Sequence, residues 1–135
     1  MIRIVIDTNV VVSGYIFRGI PQDIILSCKS GNCRPLVSVA MINELARVLH
    51  YKKLKLTEEA IYKILQDYNS ITEFVIINKY YRVIQNDRND NIFIDCAISG
   101  QADAIVSGDK HLLNLGEFKG IKIVKPITFV KDFLS

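Results

Sequence analysis

Short apolar, β-branched runs alternate along this chain with longer segments of helical periodicity. The predicted strands span residues 3–6, 35–38, 73–77, 104–106 and 122–124. The predicted helices span residues 21–30, 39–50, a segment capped by Thr57, 90–99, 110–113 and a final segment capped by Thr128. Strands that alternate with helices imply right-handed crossovers and a mostly parallel sheet with helices on both faces. The predicted fold class is therefore α/β.

The length of 135 residues predicts a single domain over residues 1–135. Half of the residues are hydrophobic, which supports a sizeable core and argues against disorder. No apolar run approaches the roughly 20 residues of a membrane span, and the N-terminus lacks a signal-peptide pattern, so we expect no membrane association. The three cysteines, Cys28, Cys33 and Cys96, lack CxxC spacing. We therefore expect reduced thiols and a cytoplasmic location.

Two carboxylates follow directly after predicted strands. Asp7 comes after the run 4–6, and Asp109 comes after 104–106 in the turn Ser107-Gly108-Asp109. In parallel sheets ligands bind outside the carboxyl ends of the strands. Each aspartate could instead cap the helix that follows it. The presence of both in one sheet favours a shared functional crevice.

Glu44 lies within a helix whose apolar residues recur at helical spacing. It is three residues after Met41 and four before Val48, so it falls on or beside the stripe predicted to be buried. A carboxylate in that position is costly unless it is paired or binds a cation. The alternative is a Glu at the edge of the stripe that pairs with Arg47.

A third acidic position lies near the start of the predicted helix 90–99. Asp90 opens this largely apolar helix, and we expect its N-terminus to meet the sheet edge. Asp95 lies about 140° around the helix from Asp90, on the polar side with Asn91 and Ser99. Asp87 precedes the helix and is predicted to be exposed, with a water-mediated role left open. The helix-face argument selects Asp90.

Four carboxylates in one crevice would repel each other and so require raised pKa values or a cation. Oxygen ligands suit a hard divalent ion such as Mg²⁺ or Mn²⁺. The chain carries a net charge of +3, and the remainder without these four acids would carry +7. An acidic metal pocket in a basic surface fits the cleavage of a polyanion.

These residues resemble the PIN domain family, and in particular the PIN-family toxins of prokaryotic toxin–antitoxin systems. The matching segments are Ile-Asp-Thr-Asn-Val (6–10), Glu44, Asn-Asp-Asn-Ile-Phe (89–93) and Ala-Asp-Ala-Ile-Val-Ser-Gly-Asp-Lys-His-Leu-Leu (102–113). The resemblance covers essentially the whole chain. It implies a three-layer α/β/α sandwich and an Mg²⁺- or Mn²⁺-dependent endoribonuclease that leaves 5′-phosphate and 3′-hydroxyl ends.

The resemblance also assigns residues. It implies that the catalytic and metal-binding acids are Asp7, Glu44, Asp90 and Asp109, supported by the polar residues Thr8, Asn9 and Ser107. Ser107 stands where Thr is usual. The implied partners are an RNA substrate and a cognate antitoxin protein. We also expect a homodimer, and the apolar residues between Leu54 and Leu65 are predicted core or dimer contacts.

Two basic segments with interleaved tyrosines, 51–55 and 79–82, are candidates for contacting RNA. The cations concerned are Lys52, Lys53, Lys55, Lys79 and Arg82. They would meet phosphates while the tyrosines stack on bases. The alternative for both segments is a solvated charged surface.

Two other functions remain open at this point. A haloacid-dehalogenase-type phosphatase also places an Asp after its first strand, but it needs a second Asp where this chain has Asn9. A non-catalytic RNA-binding PIN module would have lost acids, whereas all four are present here.

Overall fold

A computed structural model of the protein describes residues 1–82 and 90–134. The α-helices are α1 (Thr8–Ile16), α2 (Ile20–Lys29), α3 (Val39–Leu49), α4 (Glu58–Ile71), α5 (Asn91–Ser99), α6 (Lys110–Leu115) and α7 (Pro126–Phe133). The strands are β1 (Ile2–Ile6), β2 (Cys33–Val37), β3 (Glu73–Phe74), β4 (Ala104–Val106), β5 (Glu117–Phe118) and β6 (Ile121–Val124). A short 3₁₀ helix covers Lys52–Leu54.

The described strands form one sheet in the order β3-β2-β1-β4-β6-β5. All neighbours are parallel except β5, which pairs antiparallel with β6. The chain runs outward from β1 through β2 and β3, then returns to the other side of β1 with β4. This reversal of strand order is the topological switch point where open α/β sheets bind ligands, at the carboxyl ends of β1 and β4.

Side chains of β1 alternate between two apolar layers. Ile4 and Ile6 pack with buried residues of α1, α2, α4 and α7, whereas Val5 packs with buried residues of α5 and α6. A strand places successive side chains on opposite faces, so the sheet lies between two layers of helices. This confirms the expected α/β class and three-layer α/β/α sandwich with a mostly parallel sheet.

Two predicted helix caps are confirmed. Met41 N donates to Ser38 Oγ at 3.3 Å, and Ala60 N donates to Thr57 Oγ1 at 3.1 Å. The predicted Thr128 cap is wrong, because α7 already begins at Pro126, whose fixed φ suits the first turn of a helix.

The bounds of two strand regions also differ from the prediction. The β-rich stretch 73–77 forms a strand over two residues only, Glu73–Phe74. The strand predicted at 122–124 is β6, but its antiparallel partner β5 was not predicted, because it is equally short.

Other sequence expectations concern the core and the cysteines. The apolar residues of 54–65 are core: Ile61 is buried, and Leu54, Leu56, Ile64 and Leu65 pack against the α1 side of the sheet. The three cysteines are free and buried. Within the described parts of the chain, no helix has both the length and the apolar character needed to cross a membrane.

Candidate active site

The carboxyl ends of β1 and β4 bring Asp7 and Ser107 together. The parallel register pairs Ile6 with Val106, so the next residue of each strand lies at the same edge. Ser107 Oγ donates to Asp7 Oδ2 at 2.6 Å, and Asp109 N donates to Ser107 Oγ at 2.9 Å. One buried hydroxyl therefore fixes the Asp7 carboxylate and the turn that carries Asp109.

Asp7 stands at the N-cap position of α1, but its side chain makes no capping hydrogen bond. The backbone N–H groups of Asn9 and Thr8, at the start of α1, nonetheless interact with the Asp7 carboxylate and favour its charged form. Its side chain is largely withdrawn from water, with a relative exposure of 6%. Burial raises the pKa of the Asp7 carboxyl, the hydrogen bond from Ser107 opposes the shift, and the nearby charge of Asp109 adds to it.

Asp109 caps the helix that follows it and also lines the crevice. Its Oδ1 accepts from His111 N at 2.8 Å and from Leu112 N at 3.4 Å, so it caps α6. It also lines a cavity beside Asp7. The two capping hydrogen bonds fix the orientation of the Asp109 carboxylate beside the crevice.

Glu44 projects from α3 toward the same crevice, and its side chain is 19% exposed. Both carboxylate oxygens are engaged by Arg47: Nη2 donates to Oε1 at 2.6 Å, and Nε donates to Oε2 at 3.2 Å. Arg47 Nη1 also donates to Tyr51 Oη at 2.7 Å. The pairing with Arg47 considered as an alternative is present, and it lies at the crevice itself.

Asp90 stands at the start of α5 and is 6% exposed. Its side chain makes no capping hydrogen bond to α5. It lines the same cavity of about 280 Å³ as the other three predicted acids. The remaining lining residues are Thr8, Asn9, Arg47, Val48, Tyr51, Lys53 and Phe93. The structure thus brings the four predicted carboxylates and two of the three supporting polar residues to one cavity.

Asp95 is not on a solvated polar side of α5, so that expectation is wrong. It is buried, and its Oδ1 accepts from Tyr81 N at 2.7 Å. The segment leading to Tyr81 covers this face of the helix and satisfies the carboxylate. Asp95 does not line the acidic cavity. Asp87 lies outside the described residues.

The donor set of this cavity is chemically suited to Mg²⁺ or Mn²⁺, because it offers carboxylate oxygens. Within residues 1–82 and 90–134, no group of three or more His, Cys, Asp or Glu side chains is close enough to hold a metal ion as placed. As placed, the Glu44 carboxylate is instead paired with the Arg47 guanidinium.

Of the predicted RNA-binding cations, Lys53 lines the acidic cavity. Lys52 and Lys55 are exposed nearby in sequence but do not line it, and Lys79 lies over the ring of Tyr81 instead. Arg82 is exposed and does not line the acidic cavity either.

Arg47 lines the acidic cavity, but the sequence predicted it only as a partner for Glu44. Its position one helical turn after Glu44 was the available signal that it reaches the same cavity.

Two larger cavities adjoin the acidic one. The first, of about 570 Å³, shares Asp7, Asn9 and Asp109 with it. The second, of about 500 Å³, shares Asn9, Val48, Tyr51 and Lys53 with it. Asn9 lines all three, so they form one continuous depression with the carboxylates in the middle.

The fold and this cavity define an α/β protein with a carboxylate-lined crevice at the switch point of a parallel sheet. Over residues 3–111 the sequence matches the PIN domain family, and the chain belongs to that family. No curated protein matches the sequence significantly.

The structure is similar to a crystal structure of VapBC2 from Rickettsia felis bound to a DNA fragment from their promoter. The TM-score is 0.64 and the sequence identity is 16%, with 90% of this chain and 97% of that chain covered. At this identity the likeness concerns the fold.

Proposed function

We propose that this protein is an endoribonuclease that depends on Mg²⁺ or Mn²⁺, and that it acts as the toxin of a toxin–antitoxin pair. The observation that carries the proposal is the convergence of Asp7, Glu44, Asp90 and Asp109, from four separate elements, on one cavity in a PIN-family chain. Membership of that family favours this function over the haloacid-dehalogenase-type phosphatase.

In this proposal Asp7, Glu44, Asp90 and Asp109 hold the ion or ions. Bound Mg²⁺ or Mn²⁺ supplies activation of water and stabilisation of the negative charge that develops on a phosphate. A water oxygen bonds to phosphorus while the bond to the 3′ oxygen breaks, which leaves 5′-phosphate and 3′-hydroxyl ends.

The other residues of the cavity prepare it for this reaction. Ser107 keeps the Asp7 carboxylate in place through its hydrogen bond. Arg47 and Lys53, which lie 5.4 and 5.9 Å from the centre of the Tyr51 ring, are placed to bind phosphate oxygens of the RNA backbone. Thr8 and Asn9 lie at the start of α1, where backbone N–H groups favour an anion.

The test is a panel of single-stranded and loop-containing RNAs incubated with Mg²⁺, with Mn²⁺ and with a chelator. We expect cleavage with either ion, none with the chelator, and loss of cleavage in Asp7→Asn. Asp132→Asn, which changes an exposed aspartate of α7, is the matched control. Cleavage that survives both chelation and Asp7→Asn would overturn the metal mechanism.

The proposed antitoxin partner is supported by the similar structure, which is a VapBC2 complex. The direct test is co-expression with the product of any small open reading frame that adjoins this gene. We expect this product to bind the protein and suppress RNA cleavage. The expected homodimer and cytoplasmic location stay predictions, and light scattering of the purified protein tests the dimer.

A further inference from the structure

The second of the two cavities that adjoin the acidic one, lined by Val12, Phe17 and Leu54 among others, has a mixed character that the proposed hydrolysis does not use. Its floor contains the buried side chains of Val12 and Val48, and its walls include Leu54. Two aromatic residues, Phe17 and Tyr51, stand at its edge, and the Phe17 residue is 60% exposed. Its volume of about 500 Å³ lies within the range of roughly 300–1,000 Å³ typical of small-ligand pockets.

Cations mark the boundary between this cavity and the acidic one. Lys53 lines both, and its Nζ lies 5.9 Å from the centre of the Tyr51 ring. Arg47 lies 5.4 Å from the same ring and lines the acidic cavity. A ligand that spans the boundary therefore meets an apolar, aromatic pocket on one side, and next to it the Lys53 ammonium and the Glu44-paired guanidinium of Arg47.

We propose that this cavity, lined by Val12, Phe17, Val48, Tyr51, Lys53 and Leu54, binds one unpaired nucleobase of the RNA strand next to the phosphate that is cleaved. The inference rests on the proposed function. A nucleobase is flat and apolar on its faces and is linked to an anion, which matches the arrangement of pocket and cations. Aromatic side chains stack on bases of any sequence, so Phe17 selects for an unpaired base.

Charge decides between this occupant and an apolar side chain of a protein partner. Lys53 and Arg47 add no affinity for an aliphatic side chain and only a weak cation–π attraction for an aromatic one, whereas they complement the phosphate attached to a base. The cavity is also continuous with the carboxylates through Asn9, Val48, Tyr51 and Lys53. An RNA strand with a phosphate at the acidic cavity would therefore place a neighbouring base at this pocket.

The test uses a short single-stranded RNA that carries one fluorescent purine whose emission is quenched by stacking. It is titrated with the intact protein in chelator, so that binding is measured without cleavage. We expect quenching by the parent and by Phe17→Tyr. We expect binding roughly 5- to 100-fold weaker in Phe17→Ala, with the quenching lost. Phe74→Ala is the matched control, because Phe74 of β3 is similarly exposed and lines none of the three cavities.

The same preparations are then assayed for cleavage with Mn²⁺, which separates the two proposals. Quenching that depends on Phe17 without any cleavage would support the base pocket and contradict the nuclease function. Cleavage by the parent with equal binding by Phe17→Ala and the parent would retain the nuclease and overturn the base pocket. The latter result is also the one expected if a protein side chain fills the cavity.

Discussion

Arg47 holds both carboxylate oxygens of Glu44 inside the acidic cavity, with a hydrogen bond of 2.6 Å from Nη2 to Oε1 and one of 3.2 Å from Nε to Oε2. The hydrogen bond to Glu44 raises the pKa of the Arg47 guanidinium, which is charged at neutral pH in any case. The chain thus supplies its own counterion to a proposed metal ligand.

Arg47 would compete with a metal ion for the Glu44 carboxylate. Replacing Arg47 should therefore strengthen Mn²⁺ binding. We expect Arg47→Met to lower the dissociation constant for Mn²⁺ by about 2- to 5-fold, the range of an exposed ion pair. Titration calorimetry measures this directly. Lys53→Met is the control, because it removes a cation from the same cavity that makes no ion pair with Glu44. Equal effects of the two substitutions would mean that charge alone, and not the contact, matters.

Asp90 and Asp95 lie on one helix but should respond differently to the same substitution. We expect Asp90→Asn to abolish RNA cleavage, because Asp90 lines the acidic cavity. Asp95→Asn should keep much of the activity, because its Oδ1 accepts from Tyr81 N and an amide oxygen can do the same. Initial rates with Mn²⁺, together with thermal melts to confirm folding, decide this. Equal losses would refute the assignment of Asp90.

The contrast between these two residues shows which features of the site can be predicted from the sequence. Asp7 and Asp109 were predictable as a pair, because parallel neighbouring strands deliver their ends to one edge. The choice of Asp90 over Asp95 rested on the helix-face argument, on the spacing of Asp90 from Ala97 and on the family resemblance. The burial of Asp95 was not predictable, because the cover comes from the distant segment that carries Tyr81. The cavity beside Phe17 was not predictable either, because it forms where α1 lies next to the 3₁₀ helix Lys52–Leu54.

The raised pKa of Asp7 makes the stability of the metal-free protein depend on pH. A carboxyl whose pKa is higher in the folded than in the unfolded state adds stability below the unfolded pKa, and this is lost as the pH rises through the folded value. We therefore expect Asp7→Asn to be more stable than the parent by about 1 kcal/mol at neutral pH in chelator. The difference should shrink toward about pH 4.

Urea unfolding across this pH range, with Asp132→Asn as the exposed control, measures the effect. With Mn²⁺ the order should reverse, because a ligand of the folded state stabilises the parent more. A difference between Asp7→Asn and the parent that does not vary with pH would argue against a buried, charged Asp7.

Ser107 is fully buried and serves both Asp7 and Asp109. Ser107→Ala would leave the Asp7 carboxylate without this donor and Asp109 N without its acceptor, which should cost about 1–3 kcal/mol of stability. Ser107→Thr keeps the hydroxyl and should cost less. Denaturant unfolding of the three proteins measures this. Similar losses from Ala and Thr would show that packing, not the hydrogen bonds, is what Ser107 provides.

Asp109 offers the most direct test of the central claim, that the carboxylate-lined cavity cleaves RNA through a divalent ion. Asn caps helices as well as Asp does, so Asp109→Asn keeps the α6 cap but removes one charge from the cavity. The measurement is the rate of single-stranded RNA cleavage by the parent and by Asp109→Asn, each with Mn²⁺ and with chelator. We expect cleavage by the parent with Mn²⁺ alone and a reduction of roughly 100-fold or more in the variant, which should fold normally. Equal rates for parent and variant, or cleavage by the parent in chelator, would contradict the account.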